Sequence, residues 1–202
     1  MSVFTFFRPV LHALSDGPII RKSIAIVLQV LSVLGVLSGI YTVIEILKAS
    51  FRLPTEGTIG GLILAIVVAV AVLAIVQVLL CRAQDVVSLE TSPFTVIPIC
   101  SILLRACGET YAILGVAVGL GGCLFIWLSG IHPFFILGAM AGLFPQVSFG
   151  NSFLGGVVFL LSLLLLSFFG LLLFYFLAES VIVMVDIAKS MRTVVRQTES
   201  GH

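Results

Sequence analysis

The sequence predicts an all-α membrane protein, with four transmembrane helices forming two tandem helical hairpins, both termini cytoplasmic, and a short amino-terminal interfacial helix. Three observations lead there. Apolar residues make up 60% of the 202-residue chain and charged residues only 9%, against roughly a quarter charged in ordinary soluble domains. Four stretches reach the roughly twenty apolar residues needed to cross about 30 Å of hydrocarbon. Lys and Arg gather on one set of flanks. Ten basic residues against nine acidic ones give a net charge of +1, which leaves no electrostatic case for nucleic acid as a partner. The lipid bilayer is the first partner the composition implies.

The spans run approximately from Ser23 to Leu47, Thr58 to Leu80, Tyr111 to Ile131 and Phe153 to Val185. The first is too long for the apolar region of a signal peptide and lacks a small-x-small cleavage site, so it is expected to remain as a span. With the termini inside, Arg8, Arg21, Lys22, Arg82, Arg105, Lys189, Arg192 and Arg196 lie on the cytoplasmic flanks, and only Lys48 and Arg52 lie outside. Cytoplasmic flanks hold the basic excess, so this orientation is expected, in a bacterial inner membrane. The outer loop 132–152 has no formal charge, in agreement.

Ahead of the first span, Val3, Phe7, Val10, Leu11 and Leu14 recur at helical spacing, and Asp16-Gly17-Pro18 is expected to break that helix. The segmentation is then 1–22 as a cytoplasmic interfacial segment, 23–92 as the first hairpin, 93–191 as the second, and 192–202 as a cytoplasmic tail. Residues 94–107 fit either an interfacial segment or an extension of the third span. The last helix has no proline and only Gly170 as an interior glycine from Phe153 to beyond Met191. At 1.5 Å per residue it would extend roughly 58 Å, and its basic end should project past the hydrocarbon.

The chain also reads as an internal duplication. A shift of 80 residues brings Pro18, Gly35 and Gly39 onto Pro98, Gly115 and Gly119. A shift of 95 brings Gly60 and Gly61 onto Gly155 and Gly156, and Ala83, Gln84 and Val86 onto Ala178, Glu179 and Val181. The longer second outer loop absorbs the difference. The second helix of the second hairpin leaves the membrane as Leu177-Ala178-Glu179, Val181-Ile182-Val183 and Asp186-Ile187-Ala188 before a basic tail. That pattern resembles a family of small bacterial two-helix-hairpin membrane proteins of uncharacterised function. The first half, Arg82-Ala83-Gln84-Asp85-Val86-Val87, lacks the acid at the position matching Glu179. The resemblance implies hairpin architecture in tandem, and brings no activity or ligand.

Catalytic signatures are missing. The chain has no HExxH, GxSxG, P-loop lysine or CxxC motif, and His12, His132 and His202 fall in three separate flanks. No enzyme, metal or cofactor is expected. Cys81, Cys100, Cys107 and Cys123 read as small packing residues, the first three near the reducing side. Gly35 with Gly39, and Gly115 with Gly119, remove bulk one turn apart. Close packing of spans one and three is expected from them, or docking of a partner subunit on one of these faces.

The charges at the inner boundary stand out: Arg82, Asp85, Arg105, Glu109, Glu179 and Asp186 lie in or beside apolar runs. Ionised groups at that depth should face one another or a wet cavity. Arg82 and Arg105 are expected to pair with some of the four carboxylates and so to join the hairpins, whether as an ion-pair belt or as a substrate or ion site. Glu45 has Lys48 within reach on its own helix, while Gln29 and Gln77 lie deeper and suit interhelical hydrogen bonds. In the uncharged outer loop, Phe134, Phe135, Phe144 and Phe149 are candidates for partner or lipid contact. The run between Pro133 and Pro145 is too short to span. The expectation that follows is a non-enzymatic accessory or scaffold subunit of a larger inner-membrane complex, or a homo-oligomer. The alternative is a small oligomeric transporter or channel for an ion or lipid that uses the inner charge cluster.

Overall fold

A computed structural model of the chain describes residues 17–89, 96–137 and 152–200. Among the described residues the fold is all helical: α1 (Gly17–Ser50), α2 (Thr55–Ser88), α3 (Val96–Ser129), the single turn α4 (Phe134–Leu137) and α5 (Phe153–Ser200). Four segments, Ile20–Ser50, Thr55–Ser88, Ile97–Ser129 and Phe153–Met184, are long and apolar enough to cross a membrane. The amino-terminal interfacial helix, expected over residues 2–14, and the terminal residues 201–202 lie outside the described residues.

Two prolines mark the entries of the first and third long helices, as the repeat reading expects. Pro18 sits in the first turn of α1, and Pro98 likewise sits in the first turn of α3; whether Asp16-Gly17-Pro18 ends a preceding helix falls outside the described residues. A proline there forfeits nothing, because the first N–H groups of a helix have no carbonyl to bond. The third apolar helix is consequently continuous from Val96, and residues 96–107 extend that span. α5 is 48 residues long, about 72 Å at helical rise, and outruns the hydrocarbon thickness more than twofold.

The helices alternate in direction. Ser50 meets Gly61 and Gly39 meets Val72 across α1 and α2; Gly60 meets Phe125 and Gly121 meets Leu64 across α2 and α3; Gly119 meets Leu163 and Gly170 meets Tyr111 across α3 and α5. These antiparallel pairs form an open row, α1–α2–α3–α5, and no extensive packing joins α1 to α5 among the described residues. The core lies in two parts. Toward the α1–α2 turn, Ile46, Leu64, Val68, Val118, Phe125 and Phe159 draw in all four long helices, whereas at the opposite, charged end Leu28, Leu79, Val86 and Ile99 engage only α1, α2 and α3.

The turns explain the ends. Phe51, Arg52 and Leu53 donate N–H groups to Leu47, Ala49 and Ser50, and Thr58 Oγ1 donates to the Ser50 carbonyl at 3.1 Å, closing the four-residue connection. α3 stops at Gly130, whose φ of 64° lies in the left-handed region and whose N–H bonds the Ile126 carbonyl. At the start of α5, Ser152 Oγ accepts the Gly155 N–H at 3.2 Å, and Trp127 Nε1 donates to the Phe153 carbonyl at 3.0 Å while stacking on the Phe153 ring. The described part of the connection after α3 turns inward: Ile136 and Leu137 of α4 are buried in the main core, and α4 reaches across to α1.

The glycine pairs divide between different neighbours. Gly39 lies against Val72 of α2 and Gly119 against Leu160 and Leu163 of α5, Gly115 is buried, and Gly35 has no atom within 4 Å of its Cβ position. The expected direct packing of spans one and three is therefore not what these glycines serve, because α2 stands between α1 and α3 in the row.

Candidate functional site

The charged end of the row carries an ion-pair cluster that joins three helices. Arg82, near the end of α2, donates from Nε to Glu109 Oε2 at 3.1 Å and from Nη2 to Glu109 Oε1 on α3. Its Nη1 donates to Asp85 Oδ2 at 2.9 Å, one turn along its own helix. Tyr175 of α5 donates its hydroxyl to Glu109 Oε1 at 2.7 Å. Glu109 is thus held from both sides, by a two-bond guanidinium fork and by a phenol, which is how a carboxylate survives at membrane depth.

The remaining expected members separate. Arg105 forms no ion pair with Glu109 one turn away; its guanidinium lies over the Tyr175 ring, 5.6 Å from the centroid, with Nε buried and unbonded. Glu179 is exposed and makes no ion pair among the described residues, because it points about 100° round the helix from Ala178, which is fully buried. Asp186 is exposed about 16 Å beyond Tyr175 along α5, its carbonyl accepting the Ser190 hydroxyl. The cluster that forms is Arg82, Asp85, Glu109 and Tyr175, with Arg105 alongside. Tyr175 was missed because a lone tyrosine in an apolar run has no sequence signature; only its register opposite Glu109 gives it a role.

Other polar residues have separate places. Lys48 Nζ bonds Glu45 Oε1 at 3.0 Å, an exposed pair of little energetic weight. Arg21 is buried at 7% exposure, with Nη1 bonded to the Leu89 carbonyl and Nε and Nη2 unbonded. Its basic side chain reads in the sequence as a flank charge, and nothing there marks it as interior. Gln77 lines the cleft beside the cluster, and Gln29 is exposed on α1. Cys81, Cys100 and Cys107 are exposed and Cys123 is buried, all as free thiols. Phe134 and Phe135 fall in α4, but their side chains, like Phe144 and Phe149 altogether, lie outside the described residues.

Beside the cluster, α2 and α3 leave an open cleft of about 550 Å³ lined by Gln77, Cys81, Arg82, Asp85, Glu109 and Ile113. It continues into an apolar trough of about 470 Å³ between Ile66 and Ala74 of α2 and Ala112 and Leu120 of α3. The class of protein these features define is a multi-pass membrane protein, built among the described residues as an open helical row with a charged cluster at one end. Comparison with known proteins adds no relative: no family model matches the chain, and neither the curated proteins nor the solved structures give a match.

Proposed function

We propose that the protein is a non-enzymatic accessory or scaffold subunit of a larger membrane complex, docking through the free face of α1. The observation that supports this is Gln29. It is exposed on an edge helix that, among the described residues, packs mainly on α2 and briefly on α4; it lies about 13 Å from the start of that span and makes no hydrogen bond among the described residues. A primary amide facing hydrocarbon is costly, and a neighbouring transmembrane helix is the usual source of a partner for it. Gly35, with open space beside it, adds room for close approach on the same helix.

The setting in this reading is a bacterial inner membrane, with the basic end of the row cytoplasmic and both termini inside. The two hairpins, α1–α2 and α3–α5, are read as a tandem duplication. The test is mild-detergent purification of tagged protein at native expression, with mass spectrometry of what accompanies it, for the natural chain and for Gln29→Leu. Stoichiometric membrane partners that the substitution sheds are expected. Recovery of the chain alone, unchanged by the substitution, overturns the reading. The open cleft beside Arg82 and Glu109 favours a second reading, a small oligomeric transporter or channel for an ion or lipid, tested by flux into liposomes with Glu109→Gln as the comparison.

A further inference from the structure

The seam between α2 and α3 changes chemistry along its length. Its trough is walled by Ile66, Val70 and Ala74 on one side and Ala112, Val116 and Leu120 on the other, and no polar atom lines it. Alanines along the middle, where leucines would have filled the space, keep the seam open. The trough shares Ala74 and Ile113 with the cleft, whose far end is Arg82, Asp85 and Glu109. An apolar slot ending in paired charges has the polarity of an amphiphile laid along the membrane normal.

We infer that this groove binds one phospholipid with a zwitterionic, primary-amine head group, its acyl chain along the Ala74–Ala112 trough and its head group at Arg82 and Asp85. Length supports it. From Ile66 to Val78, through the trough and into the cleft, the helix rises about 18 Å, a little over half of the roughly 30 Å hydrocarbon core, so trough and cleft together accommodate a chain from one leaflet. The volumes, about 470 and 550 Å³, fall in the range of ligand sites rather than packing defects.

The head group follows from charge. The cleft is lined by one cation, Arg82, and two carboxylates, Asp85 and Glu109, while Arg105 stands outside it over the Tyr175 ring, so the polar end carries no positive excess to recruit an anionic lipid. It does offer both signs. Arg82 gives three N–H groups to Glu109 and Asp85 and keeps others for a phosphate oxygen. Asp85 is 49% exposed and uses one oxygen on Arg82, leaving the second for an ammonium N–H. A quaternary ammonium has no N–H to give, and a glycerol head group has no positive charge. The site is independent of the α1 docking face.

The test places the full chain in nanodiscs of phosphatidylethanolamine and phosphatidylglycerol, with a trace of phosphatidylethanolamine carrying a diazirine on its acyl chain. Photolabelled positions are mapped by peptide mass spectrometry, and retained lipid is counted by native mass spectrometry. Labels are expected within 66–78 and 112–120, with one phosphatidylethanolamine kept per chain. Ala74→Phe and Ala112→Phe should each cut that labelling about tenfold, while Leu173→Phe, on an exposed face of α5, should leave it unchanged. Asp85→Asn, which keeps the trough intact and removes the acceptor for the ammonium while Arg82 remains, should shift the retained lipid toward phosphatidylglycerol. Labels spread evenly over α1 and α5, or retained lipid indifferent to head group and to Asp85, would each overturn the inference.

Discussion

Glu109 shows how one residue can hold three helices together. It sits one helical turn after Arg105 yet pairs across the seam with Arg82, while Tyr175 approaches from α5. With Arg82 at 24% and Glu109 at 18% side-chain exposure, the pair is too shielded to be a weak surface bridge and too accessible to bear a full burial penalty. Glu109→Gln keeps the volume but leaves the Arg82 guanidinium short of an anion. We expect it to lower stability by about 1–3 kcal/mol, read by reversible unfolding in mixed micelles. Arg82→Met combined with Glu109→Gln should recover part of that loss, since the cation left with only Asp85 is removed and Asp85, 49% exposed, keeps its hydration. A double variant as unstable as the sum of the single ones would show that the pair is not coupled.

At the scale of the helices, glycine matters by what faces it and not by its spacing. A Cβ on Gly61 would overlap the Ser50 side chain, which is 1% exposed and held by a 2.6 Å bond from its hydroxyl to the Ile46 carbonyl. Gly61→Ala should therefore destabilise the α1–α2 pair by about 1–3 kcal/mol through overpacking. Ser50→Gly in the same chain should relieve it. Gly35→Ala meets nothing within 4 Å and should be neutral, or stabilising by up to about 1 kcal/mol through helix propensity. Unfolding midpoints of the three variants decide this, and equal losses at positions 35 and 61 would contradict it. The GxxxG pattern was legible in the sequence and its consequence was not. The same spacing meets Val72 on α2 from Gly39, Leu163 on α5 from Gly119, and empty space from Gly35.

At the scale of the molecule, the row leaves α1 and α5 as edges, each with one long partner among the described residues, and sets α3 between two neighbours. Half of the most apolar window of α3 is buried within the chain, against 17% for that of α5. The apolar surface left over on α1 and α5 is suited to lipid or to other helices. Orientation is the global property most directly tested. In a cysteine-free background, a cysteine replacing Phe51, exposed at the α1–α2 turn, should react with a membrane-impermeant maleimide in intact spheroplasts. One replacing Met191, exposed near the far end of α5, should react only after permeabilisation. The reverse pattern would place the termini outside.

Composition and apolar run length alone determined the four helices, because crossing hydrocarbon demands about twenty apolar residues whatever the neighbours do. The concentration of ionisable residues near one boundary was legible for a similar reason, since such groups are tolerated chiefly near the membrane surfaces. Which of them meet was decided by the tertiary structure. Arg82, Glu109 and Tyr175 come together through the antiparallel register of α2, α3 and α5, and Glu179 is turned away by about 100° of helix. The order of the row, the burial of Arg21 and the trough between α2 and α3 belong to that level too. In a chain where nearly every helix face is apolar, hydrophobic patterning names no partner face, and packing shape makes the choice.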